Sequence, residues 1–364
     1  MKKHLIVILA VAAALFCGAY GLSAQEPSYT FTDAYNLTLC GKAFVTPLPY
    51  ERMDFDKFTG WTEKDINLLK MSSGIIVSFK TDSPSIRVKA SFQKPSKANT
   101  SGFATRGFDL YIKKDGKWLW AGAVSASHGD METKPMTIVK NMDRSEKECI
   151  LYLPTFSQME GVEIGVEEGS VIKRGAQPFR YKIILHGSSF MHGASTTRAG
   201  ATVPGFLSRM TGLNFCSLGV SGDCKMQPQF AEALKGAKAD AFVFDAFSNP
   251  SAEEIQERLF PFIETIQAGH PGKPLIFMSS IYRERRNFNA KVEEAEAAKA
   301  AMAAKMMKKA CKKYKNVYYI QSNATTPDHE TTCDGVHPGD MGYYLWAESV
   351  KDQIVKILAK YGLK

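Results

Sequence analysis

From residue 181 onward the chain alternates short apolar runs with longer helical ones, and no other feature narrows its fold as far. The runs are residues 183–185, 213–218, 241–245, 274–278 and 317–320, rich in aliphatic and aromatic side chains. Helical stretches lie at 203–210, 227–235, 252–268 and 292–314, and a last one at 343–361. Short apolar runs bounded by turn residues read as strands covered on both faces, since a half-exposed strand would alternate apolar with polar. Five strand–helix units in series therefore predict a parallel sheet packed between two helix layers. The loops after its strands gather on one edge, where open α/β sheets bind ligands.

Upstream the texture differs. From about residue 29 to 175, short runs at 75–79, 86–92, 108–112, 118–124, 136–139, 149–153 and 162–166 are separated by polar turns. Lys114-Asp115-Gly116-Lys117 has the composition of a tight hairpin turn. Spacing of this kind predicts an antiparallel β-sandwich. Trp118 and Trp120 fall on one strand face, as either a packed surface or a sugar-stacking platform. The texture changes around residues 174–179, so the domains are expected at 25–176 and 181–364. No flexible Gly/Ser tether joins them, which favours a fixed interface.

The first 25 residues, MKKHLIVILAVAAALFCGAYGLSAQ, have the pattern of a secretory signal. Lys2 and Lys3 precede an apolar run over 5–16, and small residues lead to a cut after Ala24, with Gly21 as a second position. The run is short for a bilayer, which takes about 20 apolar residues. Phe16 is too large for lipoprotein processing at Cys17. The expectation is a periplasmic or secreted protein, domain 1–24 being removed, with no membrane span. The formal charge of +9 becomes +7 without Lys2 and Lys3. The excess is lysine, densest on the helical stretch 305–315 and unaccompanied by a recognition motif, which argues for a solvated face and against nucleic acid. Cys40, Cys149, Cys216, Cys224, Cys311 and Cys333 remain after processing; some are expected to pair, and their spacing matches no metal site.

The first apolar run of the second half ends in Gly187-Ser188-Ser189. A strand breaking at glycine into a helix holds a serine hydroxyl at the binding edge of the sheet. Two readings are open: a nucleophile, or a helix N-cap at Ser188 or Ser189. Asp334-Gly335-Val336-His337-Pro338 follows the fifth strand and falls on the same edge. An Asp three residues before a His in a Gly/Pro-bounded loop suits a general base and its orienting carboxylate. Two further loops share the edge. One is Gly219-Val220-Ser221-Gly222-Asp223, where Gly222 offers a backbone N–H. The other is Asp245-Ala246-Phe247-Ser248-Asn249-Pro250, where Asn249 offers an amide. With the Ser189 N–H these donors would make an oxyanion hole. Ser188 and Ser195 are rival nucleophiles, and His186, His192 and His329 rival bases without the Asp334 spacing.

These four blocks make the second half resemble the SGNH (GDSL-type) hydrolases. The resemblance covers roughly residues 181–363 and implies a flavodoxin-like three-layer sheet. It implies Ser189 as nucleophile, His337 as base, Asp334 as its orienter, and Gly222 and Asn249 in the oxyanion hole. Gly107-Phe108-Asp109-Leu110-Tyr111 makes the first half similar to the G-x-D-L-Y sandwich that precedes some members. Two departures stand out: Ser188 replaces the family's usual Asp beside the serine, and Pro250 follows Asn249 in place of Asp. With the leader pattern and the sandwich, the resemblance implies an exported serine esterase that removes short acyl groups, acetyl first, from a carbohydrate without a cofactor or metal. Two alternatives are a lipid ester or thioester hydrolase, and a glycan-binding protein with an inactive hydrolase domain.

Overall fold

The computed structural model describes residues 26–94 and 100–364, so the secretory leader read at 1–25 lies outside the described residues. The first half is antiparallel. Its strands are β1 (Tyr29–Asp33), β2 (Thr38–Cys40), β3 (Ile76–Thr81), β4 (Ile86–Lys94), β5 (Gly107–Lys114), β6 (Lys117–Ser125), β7 (Met136–Val139), β8 (Lys147–Tyr152), β9 (Gln158–Glu167) and β10 (Ile172–Arg174). One sheet has the order β1-β9-β4-β7 and the other β10-β3-β8-β5-β6, with β2 also pairing to β3. β4 shows why: Ile86, Val88, Ala90 and Phe92 are buried at every second position. They meet Val162 and Ile164 of the same sheet and Leu110 and Leu151 of the other in one core. The β5–β6 turn places Asp115 at φ 50° and Gly116 at φ 76°, both left-handed, as a two-residue hairpin requires.

The second half is the expected parallel sheet. Its strands are β11 (Arg180–Gly187), β12 (Leu213–Gly219), β13 (Ala241–Asp245), β14 (Leu275–Met278) and β15 (Val317–Ile320), in the order β12-β11-β13-β14-β15. Each strand sends alternate residues to opposite layers. Ile183, Leu185, Val243 and Ile276 pack with Leu207, Trp346 and Val350 on one face. Ile184, Phe242, Phe244 and Phe277 pack with Phe230, Leu259 and Phe262 on the other. Burial on both faces removes the polar positions, which is why the runs read as continuously apolar.

The helices are α1 (Glu63–Leu69), α2 (Gly102–Thr105), α3 (Ser189–His192), α4 (Val203–Thr211), α5 (Pro228–Lys235), α6 (Ala252–Gly269), α7 (Ala290–Lys313) and α8 (Asp340–Ala359). α1 marks a departure from the β texture. Between β2 and β3 the chain leaves the sandwich, and Ala43, Phe44, Met53 and Leu69 join the core beneath the parallel sheet. No period of two is present there, because these side chains answer to the other half of the molecule.

The two halves are also fastened by the Gly107–Tyr111 motif. Asp109 is fully buried and accepts hydrogen bonds from Trp120 Nε1, Arg198 Nη1 and the Gly200 N–H, each at 2.9 Å. Arg198 also donates to the Tyr111 hydroxyl. Trp118 packs edge-on to Phe179 of the joining segment, ring centroids 6.4 Å apart, and the Arg198 guanidinium lies 5.8 Å from the Trp120 ring centroid, so the tryptophan face is turned to the second half. Trp120 still keeps 56% of its surface exposed. The expected disulfides are absent among the described residues: all six cysteines are free thiols, four of them buried as small apolar side chains.

Candidate functional site

β11 ends at Gly187, and a side chain there is sterically excluded. A Cβ would stand 2.4 Å from Met191 Cγ and 2.8 Å from Asp245 Cβ. The tight turn leads directly into α3. Ser188 is the cap: its Oγ accepts the Phe190 N–H at 3.3 Å and donates to Asp245 Oδ2 at 2.6 Å. Ser189 is then the first helical residue. It is 6% exposed, and its Oγ lies 2.9 Å from His337 Nε2. The helix-cap reading thus holds for Ser188, while Ser189 is the serine set against an imidazole.

Asp334 builds the other side. Its Oδ1 accepts the N–H groups of Val336 at 2.9 Å and His337 at 2.7 Å, and its Oδ2 accepts from His337 Nδ1 at 2.8 Å. The local Asx turn folds the loop back so that the carboxylate meets the ring three residues on. With Nδ1 committed as donor, Nε2 is left as the acceptor facing the Ser189 hydroxyl. Burial raises the Asp334 pKa, but the hydrogen bonds from His337 and Val336 outweigh it and hold the carboxyl below its usual range. It remains ionised beside the imidazole through neutral pH.

The two remaining predicted residues sit on the loops that follow the strands flanking β11. Gly187 pairs with Gly219 of β12 and Asp245 of β13, so all three loops leave the sheet side by side. This is the switch point of the 2-1-3-4-5 strand order. Gly222 has φ +69°, a left-handed conformation that favours glycine. Asn249 Oδ1 accepts the Cys224 N–H at 3.1 Å, which fixes the side-chain plane. Among the described residues, the N–H groups of Ser189 and Gly222 and the Asn249 amide nitrogen have no protein acceptor. A hydroxyl against an oriented base can attack a carbonyl carbon, and free N–H donors on the adjacent loops are of the kind that receive charge developing on its oxygen.

The rival residues are otherwise engaged. His186 is buried, donates from Nδ1 to Leu218 O at 2.9 Å, and is pushed down to about 4 by burial. His192 is buried with Nε2 2.9 Å from Thr155 O, and His329 lies beside Glu284 at 3.7 Å. Ser195 lies beyond the α3 turn at φ 64°.

Sequence reasoning passed over Asp245. Its carboxylate reaches from the next strand to the position where the family pattern has an Asp of its own. Oδ2 accepts both the N–H (3.1 Å) and O–H of Ser188, and Oδ1 accepts the Ser248 O–H. Burial raises its pKa against the pull of the Ser188 and Ser248 hydrogen bonds. Asp245→Asn replaces one acceptor with a donor facing these groups. It is expected to cost roughly 1–3 kcal/mol of stability in urea denaturation. An unchanged midpoint would show that the Ser188 contact contributes nothing.

The GDSL-like lipase/acylhydrolase family matches residues 180–355, and the family described as the N-terminus of SGNH-hydrolase-type esterases (GxDLY) matches residues 29–172. A GDSL-like lipase from Bacteroides ovatus is 38% identical, with a TM-score of 0.87 over 91% of this chain and 98% of that one. The salicylyl-acyltransferase of a tetracycline biosynthetic pathway is similar in fold at 20% identity and TM-score 0.68, over 92% of this chain and 98% of its own. An acetyl xylan esterase from the rumen bacterium Butyrivibrio proteoclasticus is similar in fold at 12% identity and TM-score 0.55, over 91% and 99%. No curated protein matches the chain.

Proposed function

The chain belongs to the GDSL-like lipase/acylhydrolase family and is a carboxylic ester hydrolase, and on that premise we propose that Ser189 is its nucleophile toward short acyl esters of carbohydrate. One observation carries this reading: Ser189 Oγ is 2.9 Å from His337 Nε2, while His337 Nδ1 is 2.8 Å from Asp334 Oδ2. His337 takes the Ser189 proton as Oγ bonds to the acyl carbon. The carbonyl oxygen becomes an oxyanion held by the Ser189 and Gly222 N–H groups and the Asn249 amide. The C–O bond to the alcohol then breaks, and His337 returns the proton to the departing oxygen. Water, deprotonated by the same imidazole, releases the acid and restores Ser189. Asp334 holds the ring and balances its charge while it is protonated.

The substrate class rests on several supports. The acetyl xylan esterase shares the fold over most of both chains. The leader-like first residues support export, and no helix among the described residues is long and apolar enough to cross a membrane. The deciding assay measures acid release from acetylated oligosaccharides and from p-nitrophenyl esters of increasing chain length. Turnover is expected to be highest for acetate and to fall by at least about tenfold by octanoate, an adverse transition-state difference of about 1.4 kcal/mol. A preference for the long ester would overturn the carbohydrate reading in favour of a lipid substrate.

A further inference from the structure

The segment between β2 and β3 places two cations on the loop that carries Gly222. Arg52 is 1% exposed, and no carboxylate pairs with it among the described residues. Its Nε donates to Met71 O at 2.8 Å, and its Nη2 to Leu68 O at 2.6 Å. These two bonds stay within its own segment. Two further contacts cross to the other half: Nη1 donates to Gly219 O at 2.9 Å, at the last residue of β12, and Nη2 lies 3.5 Å from His192 Nε2. Burial pulls the Arg52 pKa down to about 9, which leaves it charged at neutral pH. An unpaired interior charge is costly, and its carbonyl partners are not a counter-ion.

Lys64 grips the other end of the same turn. The capping box of Thr62 and Asp65 fixes the start of α1 and hence the base of the Lys64 side chain. Its Nζ lies 3.1 Å from Gly222 O and 3.7 Å from Asp223 Oδ2. The side chain is 55% exposed, so such a contact adds at most about 1 kcal/mol to stability. Between the two grips the turn is closed by the Asp223 N–H to Val220 O at 3.1 Å, and it is tied to the serine loop by the Val220 N–H to Gly187 O at 2.8 Å. Gly222 sits inside it at φ +69°, a left-handed conformation that glycine adopts freely.

We propose that Arg52 and Lys64 are positioning residues that hold the carbonyls of Gly219 and Gly222 and thereby aim the Gly222 N–H at the oxyanion. The role rests on the reading of Gly222 as an oxyanion donor. It gives the first half of the chain a part in the chemistry that is separate from substrate binding. An oxyanion donor displaced by a fraction of an ångström loses most in the transition state, where the charge is greatest. The loss then falls on kcat and spares KM.

The test uses the full chain and p-nitrophenyl acetate. Lys64→Ala is expected to lower kcat roughly tenfold, with KM within about twofold and the thermal midpoint unchanged. Lys64→Arg, which keeps a donor in reach of Gly222 O, should recover most of that loss. A trifluoromethyl ketone, whose adduct carries the oxyanion, should lose affinity for Lys64→Ala in step with kcat/KM. Arg52→Lys, assayed well below its own midpoint, should also lose kcat more than it raises KM. Wild-type kcat in either Lys64→Ala or folded Arg52→Lys overturns the clamp, as does a Lys64→Ala defect confined to KM, which would make Lys64 a substrate contact. Ser189→Ala run in parallel separates the two levels. If it stays active, the site reading itself falls; if it is inactive while Lys64→Ala is normal, only the clamp falls.

Discussion

Ser189→Ala is expected to lower kcat for an aryl acetate by roughly 10⁴-fold or more, and His337→Ala by a similar factor, since the two side chains act as one unit in the proposed mechanism. Neither loss should come from unfolding. The Ser189 hydroxyl is engaged with His337, while the cap of α3 belongs to Ser188 and the turn to Gly187. The His337 loop is held by backbone bonds that an alanine keeps, including the Cys333 N–H to His337 O at 2.9 Å. The double variant should be little worse than either single one, because removal of the nucleophile leaves the base nothing to activate. Stopped-flow or steady-state hydrolysis with a circular dichroism check measures all three. Near wild-type turnover in Ser189→Ala would remove Ser189 from the reaction.

The parts of this architecture legible in the sequence are those governed by local period and by chain direction. Runs such as Ile183–Leu185 are apolar throughout because helices cover both faces of their sheet, and parallel strands in series bring their following loops to one edge. That is how Ser189 and Asp334-Gly335-Val336-His337 could be placed together across most of the second half. The contributions from the first half were not legible. Arg52 looks like any surface arginine until Leu68 O, Met71 O and Gly219 O are seen to surround it. Phe44 and Met53 follow no strand or helix period, since they pack against Phe230 and Phe262 from another part of the chain. Asp245 ends an apolar strand, and only the pairing of β11 with β13 sets it against Ser188. The cysteines misled for a related reason. Export permits disulfides, but Cys149 and Cys216 are placed as core side chains by strands whose apolar period had already been read.

Asn249→Ala should lower kcat by roughly 10²–10³, equivalent to about 2.7–4 kcal/mol of transition-state stabilisation, with a much smaller change in KM. The loop should survive the substitution. α6 begins immediately after it with a capping box from Ser251 and Glu254. Ser248, on the other side, is fixed through its hydroxyl to Asp245 and through its carbonyl to Arg283 and Lys299. What alanine removes is the amide donor, together with the Oδ1 acceptor of the Cys224 N–H. Asn249→Asp separates these two losses. A carboxylate still accepts from Cys224, so a residue needed only to hold that loop would be restored by Asp. A residue needed to donate to an oxyanion would not be, since Asp presents a second negative charge where charge is developing. The oxyanion assignment therefore expects Asn249→Asp to be at least as slow as Asn249→Ala on p-nitrophenyl acetate. Recovery of turnover in Asn249→Asp would reduce Asn249 to a loop support, leaving the backbone N–H groups of Ser189 and Gly222 to carry the oxyanion.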